Sequence, residues 1–229
     1  MLRIEALTQD YRDFRLGPIT LTLTEQLIGL VGANGAGKTT LFSALAGISQ
    51  TDKGSVSFNG ANLSRLDRLS RVSFAHGRDV WYHGITFEDH LDLFKHCYPA
   101  WDNDVARRAL ERFSIPRHKR TGAASAGMLA KFALVVALAR RADVVLLDEP
   151  WNALDPGSRV ELTNIVRTLA SEGDVMFIVS SHDLQEVESL CKRFLLLRDG
   201  MLVFDGNEAD VKLKSGGSLT ELYLTVANA

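Results

Sequence analysis

The fold is decided by one stretch, residues 26–47, which reads QLIGLVGANGAGKTTLFSALAG. Its first part, Leu27–Val31, is a short apolar run typical of a buried parallel strand. Residues 41–46 are predicted to be helical, and Gly47 stands where a helix C-cap is expected. A glycine-rich loop separates the two parts. The stretch therefore predicts a strand, a glycine loop and a helix, in that order.

The glycine loop, residues 32–39, has two glycines with four residues between them, followed by Lys-Thr. Its glycines let the backbone curl so that successive N–H groups point at phosphate oxygens, and the helix N-terminus adds its positive dipole end. We expect Lys38 to reach the β- and γ-phosphates and the Thr39 hydroxyl to ligate Mg²⁺. The loop thus predicts a binding site for a nucleoside triphosphate.

Composition narrows the classes of function. A net charge of −2 over 229 residues gives no global basic field of the kind that attracts nucleic acid. Cys97 and Cys191 are far apart and lack metal-ligand spacing, so we expect reduced thiols in a cytosolic protein. No apolar stretch approaches the ~20 residues that span a bilayer, and no signal peptide is recognisable. The chain is expected to be soluble, with any membrane role exerted through a partner.

Two apolar runs deliver polar residues at their C-terminal ends, the edge where parallel sheets bind ligands. Residues 144–149, VVLLDE, end in Asp148 and Glu149. Asp148 is predicted to hold Mg²⁺ through a water, and Glu149 to orient or deprotonate a water that attacks the γ-phosphate. Residues 175–182, VMFIVSSH, end in His182. It is predicted to contact the γ-phosphate, the alternative being that it caps the following helix.

The rest of the chain predicts smaller units. Residues 2–7 and 19–23 alternate apolar and polar, which predicts antiparallel strands joined at a Gly17-Pro18 turn. Tyr11 between them is either a half-buried ring at a strand end or a flat face that stacks on adenine. Helical periodicity in residues 87–98 and 102–113 predicts a mostly helical insertion, which is assigned residues 77–141. Three histidines in this insertion lack metal-ligand spacing and are expected to be solvated or at an interface; they are His83, His90 and His96.

These motifs, in this order, resemble the nucleotide-binding (ATPase) subunit of an ATP-binding cassette (ABC) transporter, and the resemblance covers essentially the whole chain. Residues 32–40, GANGAGKTT, look like Walker A, and residues 144–149 like Walker B with its catalytic glutamate. Residues 152–155, NALD, resemble the D-loop, His182 the H-loop histidine, and Tyr11 the adenine-stacking aromatic residue. The order of motifs thus resembles one family throughout.

Two motifs depart from the family pattern. The signature, normally Leu-Ser-Gly-Gly-Gln, is matched by ASAGM at residues 124–128, which retains Ser125 and Gly127. The changes at Ala126 and Met128 predict a looser phosphate contact. The family's Q-loop glutamine is replaced by His76, a poorer Mg²⁺ ligand than an oxygen. We therefore expect coupling to a partner to depend on pH.

The resemblance implies an α/β fold: a P-loop NTPase core with a parallel sheet, an N-terminal antiparallel β subdomain and an inserted helical subdomain. Residues 1–76 and 142–206 would form the core with the β subdomain, residues 77–141 the helical subdomain, and residues 207–229 a short tail of this single domain. It also implies ATP and Mg²⁺ as ligands. The implied nucleotide-binding residues are Tyr11, Asn34, Gly35, Gly37, Lys38, Thr39, Thr40, Ser125, Gly127 and Asp155; the catalytic residues are Lys38, Glu149 and His182; the metal ligands are Thr39 and Asp148, with His76 as a further candidate.

The resemblance further implies a sandwich dimer, homodimeric or heterodimeric, at the cytoplasmic face of the membrane, with integral-membrane permease subunits as partners and no nucleic acid. An aromatic cluster around Trp81, Tyr82 and Phe87 is either a docking pocket for the permease or simple packing. Residues 97–102, CYPAWD, resemble exporter-like members and favour export. The alternative is a soluble non-transport ABC ATPase, for example an assembly factor. A small-molecule kinase is poorly compatible with the Asp-Glu pair.

Overall fold

Ten strands in two β-sheets form the framework of the part of the chain that the computed structural model describes. This part is residues 1–76 and 81–227, without the side chains of His76 and Ala227. The strands are β1 Leu2–Asp10, β2 Arg15–Leu23, β3 Leu27–Val31, β4 Lys53–Phe58, β5 Ala61–Asn62, β6 Val72–His76, β7 Val144–Asp148, β8 Met176–Ser181, β9 Arg193–Arg198 and β10 Met201–Asn207.

Nine α-helices are described around these sheets. Three of these helices were not predicted from the sequence, namely α2, α6 and α8. The start of α6 carries a clear signal, since Asp155 caps it and Pro156 occupies its first turn. None of the described helices is both long and apolar enough to span a bilayer. The helices are α1 Lys38–Leu45, α2 Arg65–Arg71, α3 Phe87–Cys97, α4 Asn103–Arg112, α5 Ala126–Ala139, α6 Pro156–Glu172, α7 Leu184–Leu190, α8 Glu208–Ser215 and α9 Leu219–Ala227.

The N-terminal strands belong to an antiparallel sheet of order β2-β1-β4-β5. The prediction of a turn at Gly17-Pro18 is wrong: the turn lies before β2 and is closed by a hydrogen bond from Tyr11 N–H to Phe14 O (2.8 Å). Gly17 lies inside β2, opposite a register shift in β1. It has φ +79°, and a Cβ there would lie 2.1 Å from Leu7 O. The glycine is therefore required by a β-bulge, which local sequence does not distinguish from a turn.

The second sheet has the order β10-β9-β3-β8-β7-β6. The pairs from β9 to β6 are parallel, which confirms the predicted parallel core, and β10 adds an antiparallel edge. Along β7, Val144 and Leu146 pack on one side, and Val145 and Leu147 pack on the other. Because both faces of the sheet are covered, the four residues before Asp148 are all apolar, and the whole strand, Asp148 included, is buried.

The helical subdomain packs around buried aromatic rings. Phe87 and Phe132 are fully buried with their ring centroids 4.7 Å apart, and His90 is fully buried beside them. The prediction that His90 is solvated or at an interface is therefore wrong. Its Nε2 accepts from the Tyr82 N–H (3.1 Å), so its Nδ1 carries the proton and donates to Thr86 O (2.8 Å). Both ring nitrogens are used, which makes the histidine a satisfied core residue.

The two cysteines differ in exposure. Cys97, at the end of α3, is exposed and free. Cys191 is also free but buried, and its burial raises the pKa of its thiol to about 12. The thiols are thus unpaired, as predicted.

Candidate active site

The glycine loop between β3 and α1 encloses a buried lysine. Gly35 and Gly37 have φ of +83° and +102°, values that residues with a Cβ rarely adopt. Lys38 opens α1 and is only 6% exposed. Its ammonium donates to Gly32 O (2.8 Å) and Ala33 O (3.2 Å). The loop therefore folds around a positive charge at the N-terminus of a helix, an arrangement suited to phosphate.

Three oxygen-bearing side chains meet where β7 and β8 end. The Thr39 hydroxyl donates to Asp148 Oδ2 (2.6 Å), and the Ser180 hydroxyl donates to Asp148 Oδ1 (2.5 Å). Asp148 is 1% exposed, and the parallel register sets Ser180 directly opposite it. Ser180 was missed by the sequence analysis. Its signal, a serine within the otherwise apolar run before His182, is weak because either hydroxyl of the Ser-Ser pair could face the site.

Glu149 and His182 approach each other at the same edge. Glu149 has φ +50°, and its N–H donates to both the carbonyl oxygen (3.2 Å) and the hydroxyl oxygen (3.0 Å) of Ser180. Its carboxylate lies 2.7 Å from His182 Nδ1 and 3.5 Å from the ammonium of Lys38. The cap of α7 is Asp183. His182 therefore faces Glu149 and does not cap the helix.

A cavity of about 360 Å³ opens over these groups. Its wall includes an aromatic ring, Phe14, that the sequence analysis did not consider. Tyr11 does not line it: this side chain is 48% exposed, and its ring centroid lies 6.2 Å from that of Phe14. The lining residues are Phe14, Asn34, Gly35, Gly37, Lys38, Thr39, Thr40, Asp148 and Glu149.

The signature and D-loop residues lie apart from this cavity. Ser125 is exposed and caps α5 by accepting from Met128 N–H (3.2 Å). Gly127 is buried against α6, where an added Cβ would lie 2.7 Å from Ser158 Oγ. Asp155 accepts from both the hydroxyl (2.6 Å) and the N–H (3.0 Å) of Ser158, and these bonds lower the pKa of its carboxyl. Each of the three predicted residues thus lies at the start of α5 or α6, and none of them lines the cavity of its own chain.

The oxygen donors fit a magnesium ion. Thr39 and Asp148 supply a hydroxyl and a carboxylate, hard ligands of the kind that Mg²⁺ prefers. Because Mg²⁺ usually keeps several waters and binds substrate phosphates, two protein ligands suffice. The third candidate, His76, has its backbone in register with Asp148. Its side chain lies outside the described residues, so its role stays a prediction.

Comparison with known proteins identifies the family. A family model described as ABC transporter matches residues 16–152. The chain belongs to the ABC transporter family. Among ABC proteins it is similar to the thiamine import ATP-binding protein ThiQ of Jannaschia sp. (strain CCS1), with 33% identity over 92% of this chain and 94% of ThiQ. It is also similar to the ABC transporter ATP-binding protein YtrB of Bacillus subtilis (strain 168), with 28% identity over 82% of this chain and 65% of YtrB.

The fold agrees with known ABC cassettes. A solved structure of the ATP binding subunit of an ABC transporter superimposes with a TM-score of 0.86, at 24% identity and over 99% of both chains. The predicted fold class is therefore confirmed. Within the family, this chain is a nucleotide-binding subunit with ATP hydrolase activity.

Proposed function

We propose that this ABC ATPase hydrolyses ATP in the cavity over Lys38 and uses the resulting opening and closing of a dimer to drive an integral-membrane partner. The observation that carries the proposal is the convergence of three groups at one sheet edge. Lys38 and His182 both approach the Glu149 carboxylate, at 3.5 Å and 2.7 Å. A cation beside the phosphates and a residue that positions the attacking water are recurring parts of triphosphate hydrolysis, and an imidazole beside them is able to bind the γ-phosphate.

Each residue has a definite task in this mechanism. Asn34, Thr40 and the loop N–H groups bind the phosphates with Lys38, while Thr39 and Asp148 hold Mg²⁺. When bound, Mg²⁺ would neutralise part of the negative charge of the phosphates. A γ-phosphate competes with Glu149 for the Lys38 ammonium, which releases the carboxylate to accept a proton from the attacking water. His182 then holds the γ-phosphate. Phe14, which lines the cavity, contributes the aromatic side of the base site, and Tyr11 lies beside it with the ring centroids 6.2 Å apart.

A second subunit completes the site in this proposal. Ser125 and Gly127 do not line the cavity of their own chain, yet Ser125 is exposed at the N-terminus of a 14-residue helix. Such a terminus attracts phosphate. We assign it, with Asp155, to the ATP of a partner subunit, which is either a second copy or a related chain. Charge-assisted bonds to the γ-phosphate then hold the dimer closed until hydrolysis.

The membrane partner is assigned to an aromatic groove of about 460 Å³ between the helical subdomain and the sheet. Of the three rings expected there, Tyr82 is 64% exposed and lines the groove, while Trp81 lines it from a mostly buried position. Phe87 is fully buried, so for this ring the packing alternative holds. We propose that the groove receives a cytoplasmic segment of the permease, which places this chain at the cytoplasmic face of the membrane.

Export, which residues 97–102 favoured, is not supported by ThiQ or by the phosphonates import ATP-binding protein PhnC 1 of Ruegeria sp. (strain TM1040), because both are named as import proteins.

The test uses Glu149→Gln, which retains the shape of the base and blocks hydrolysis, so that ATP holds the dimer closed. The tagged variant is expressed in its native host, membranes are solubilised with ATP and Mg²⁺, and co-purifying proteins are identified. A multi-span membrane protein in near-equal amount supports the proposal. The exposed Glu111→Gln is the matched control, which should hydrolyse ATP like the wild type. Recovery with a soluble partner, or as a cytosolic self-dimer, would favour a non-transport ATPase instead.

A further inference from the structure

An ion pair connects the D-loop to the segment that carries His182. Arg159 lies in the first turns of α6, just after the D-loop (residues 152–155), and Glu186 lies on α7, just after His182. The Arg159 Nη1 is 2.8 Å from Glu186 Oε1. The pair thus links two helices that begin beside two different parts of the proposed ATP site.

Each partner of the pair also holds the loop next to it. Arg159 Nε donates to Leu154 O (3.2 Å), a carbonyl of the D-loop. Glu186 Oε2 accepts from the Ser181 hydroxyl (3.4 Å), and the same hydroxyl oxygen accepts from Asp183 N–H (2.9 Å). Ser181 and Asp183 are the two neighbours of His182 in the chain. The contacts of the ion pair therefore reach from the D-loop to both neighbours of the histidine.

The other end of this connection reaches the signature. Gly127 packs directly on Ser158, since an added Cβ would lie 2.7 Å from the Ser158 hydroxyl oxygen. That hydroxyl donates to Asp155 (2.6 Å), the last residue of the D-loop. A contiguous set of contacts therefore runs from the signature, through the start of α6 and the ion pair, to His182 of the same chain.

The ion pair lies in a partly buried environment. The side chains of Arg159 and Glu186 are 43% and 23% exposed, so that the pair is only partly screened by solvent. Burial and the nearby Asp183 raise the pKa of the Glu186 carboxyl, and Arg159 opposes that shift. Loss of the arginine therefore leaves a partly desolvated carboxylate that is free to change position beside Ser181.

We infer that Arg159 and Glu186 are positioning residues that make the placement of His182 against Glu149 depend on the chain's own signature and D-loop. The inference rests on the proposed dimer, in which the signature of one subunit contacts the ATP of the other. Closure over the partner's ATP then sets His182 in its own site. The two sites of the dimer bind and hydrolyse ATP cooperatively for this reason.

The test measures ATP hydrolysis by the full chain against ATP concentration. For a two-site dimer the Hill coefficient of the wild type should approach its limit of about 2. Arg159→Gln and Glu186→Gln should each bring it near 1 and lower kcat about fivefold or more, with KM changed less. The double variant should be no worse than either single one, because both remove the same link. Arg159→Lys keeps the charge and should recover part of the cooperativity. If Arg159→Gln does not fold, Arg159→Lys replaces it in the test.

A matched ion pair separates positioning from stability. Arg193 and Asp205 are 2.7 Å apart with side chains 22% and 26% exposed, and they join β9 to β10, away from the cavity. Arg193→Gln should lower Tm about as much as Arg159→Gln and leave the Hill coefficient unchanged. The inference is overturned if the Arg159 and Glu186 variants lower Tm but keep the Hill coefficient and kcat, or if the wild type hydrolyses ATP without cooperativity. Failure of Glu149→Gln to dimerise with ATP overturns the proposed dimer itself.

Discussion

Replacing Ser180 with alanine tests the geometry of the site most directly. The Ser180 hydroxyl is fully buried and donates to Asp148 Oδ1 at 2.5 Å. Hydrogen bonds to charged groups contribute about 1.5–3 kcal/mol, more than most neutral ones. The Glu149 N–H keeps its bond to the Ser180 carbonyl in the variant, so the loss falls on the carboxylate of Asp148. We expect unfolding to become easier by about 2 kcal/mol, which for a chain of this size lowers Tm by roughly 4–8 °C.

The same change should weaken Mg²⁺-dependent hydrolysis, because Ser180 orients a carboxylate that ligates the metal. Loss of such a supporting bond typically costs about 10- to 100-fold in metal affinity or activity. Thermal unfolding and a Mg²⁺ titration of ATP hydrolysis measure the two effects. Ser55→Ala is the matched control, since the Ser55 hydroxyl also donates to a carboxylate (3.1 Å) but at an exposed site. A Tm within about 1 °C of the wild type and an unchanged Mg²⁺ titration would refute the reasoning.

Three further predictions concern the base site, the thiols and acid stability. Phe14→Ala should raise KM for ATP more than Tyr11→Ala, because Phe14 lines the cavity. Steady-state kinetics measures both KM values, and an equal rise in the two variants would contradict this placement of Phe14. In the native protein at pH 8 a maleimide should modify Cys97 quickly and Cys191 slowly, since burial raises the pKa of Cys191 to about 12; mass spectrometry counts the adducts, and urea should equalise the rates. The pKa of the Asp102 carboxyl is lowered from 3.8, mainly by a hydrogen bond from the backbone N–H of Val105 in α4 and next by one from Arg141. The ionised carboxylate therefore stabilises the fold above pH 3.8, and this stabilisation is lost as the pH falls below that value. Urea unfolding should therefore show a smaller loss of stability on acidification in Asp102→Asn than in the wild type.

The sequence alone determined the parts of this protein that neighbouring residues build together. The glycine loop, its lysine and the strand before it are contiguous, and so their order predicted the phosphate site. The apolar run of β7 and the Asp148-Glu149 pair after it are likewise local, and the structure brings them to the cavity. The Asp199-Gly200 turn between β9 and β10 was predictable for the same reason, because a two-residue hairpin depends on its own two residues.

Tertiary structure decided the features that depend on distant partners. Ser180 became part of the site through strand register with β7, and Phe14 reached the cavity through the fold of the N-terminal hairpin. His90 is buried because Phe132 of α5 packs against its ring, with the ring centroids 5.9 Å apart, while nearer residues satisfy its two nitrogens. The physical reason is common to all of them. Burial and hydrogen bonding are properties of a side chain's surroundings, and those surroundings come from segments far away in the sequence, so a local pattern reveals the residue type but not its neighbours.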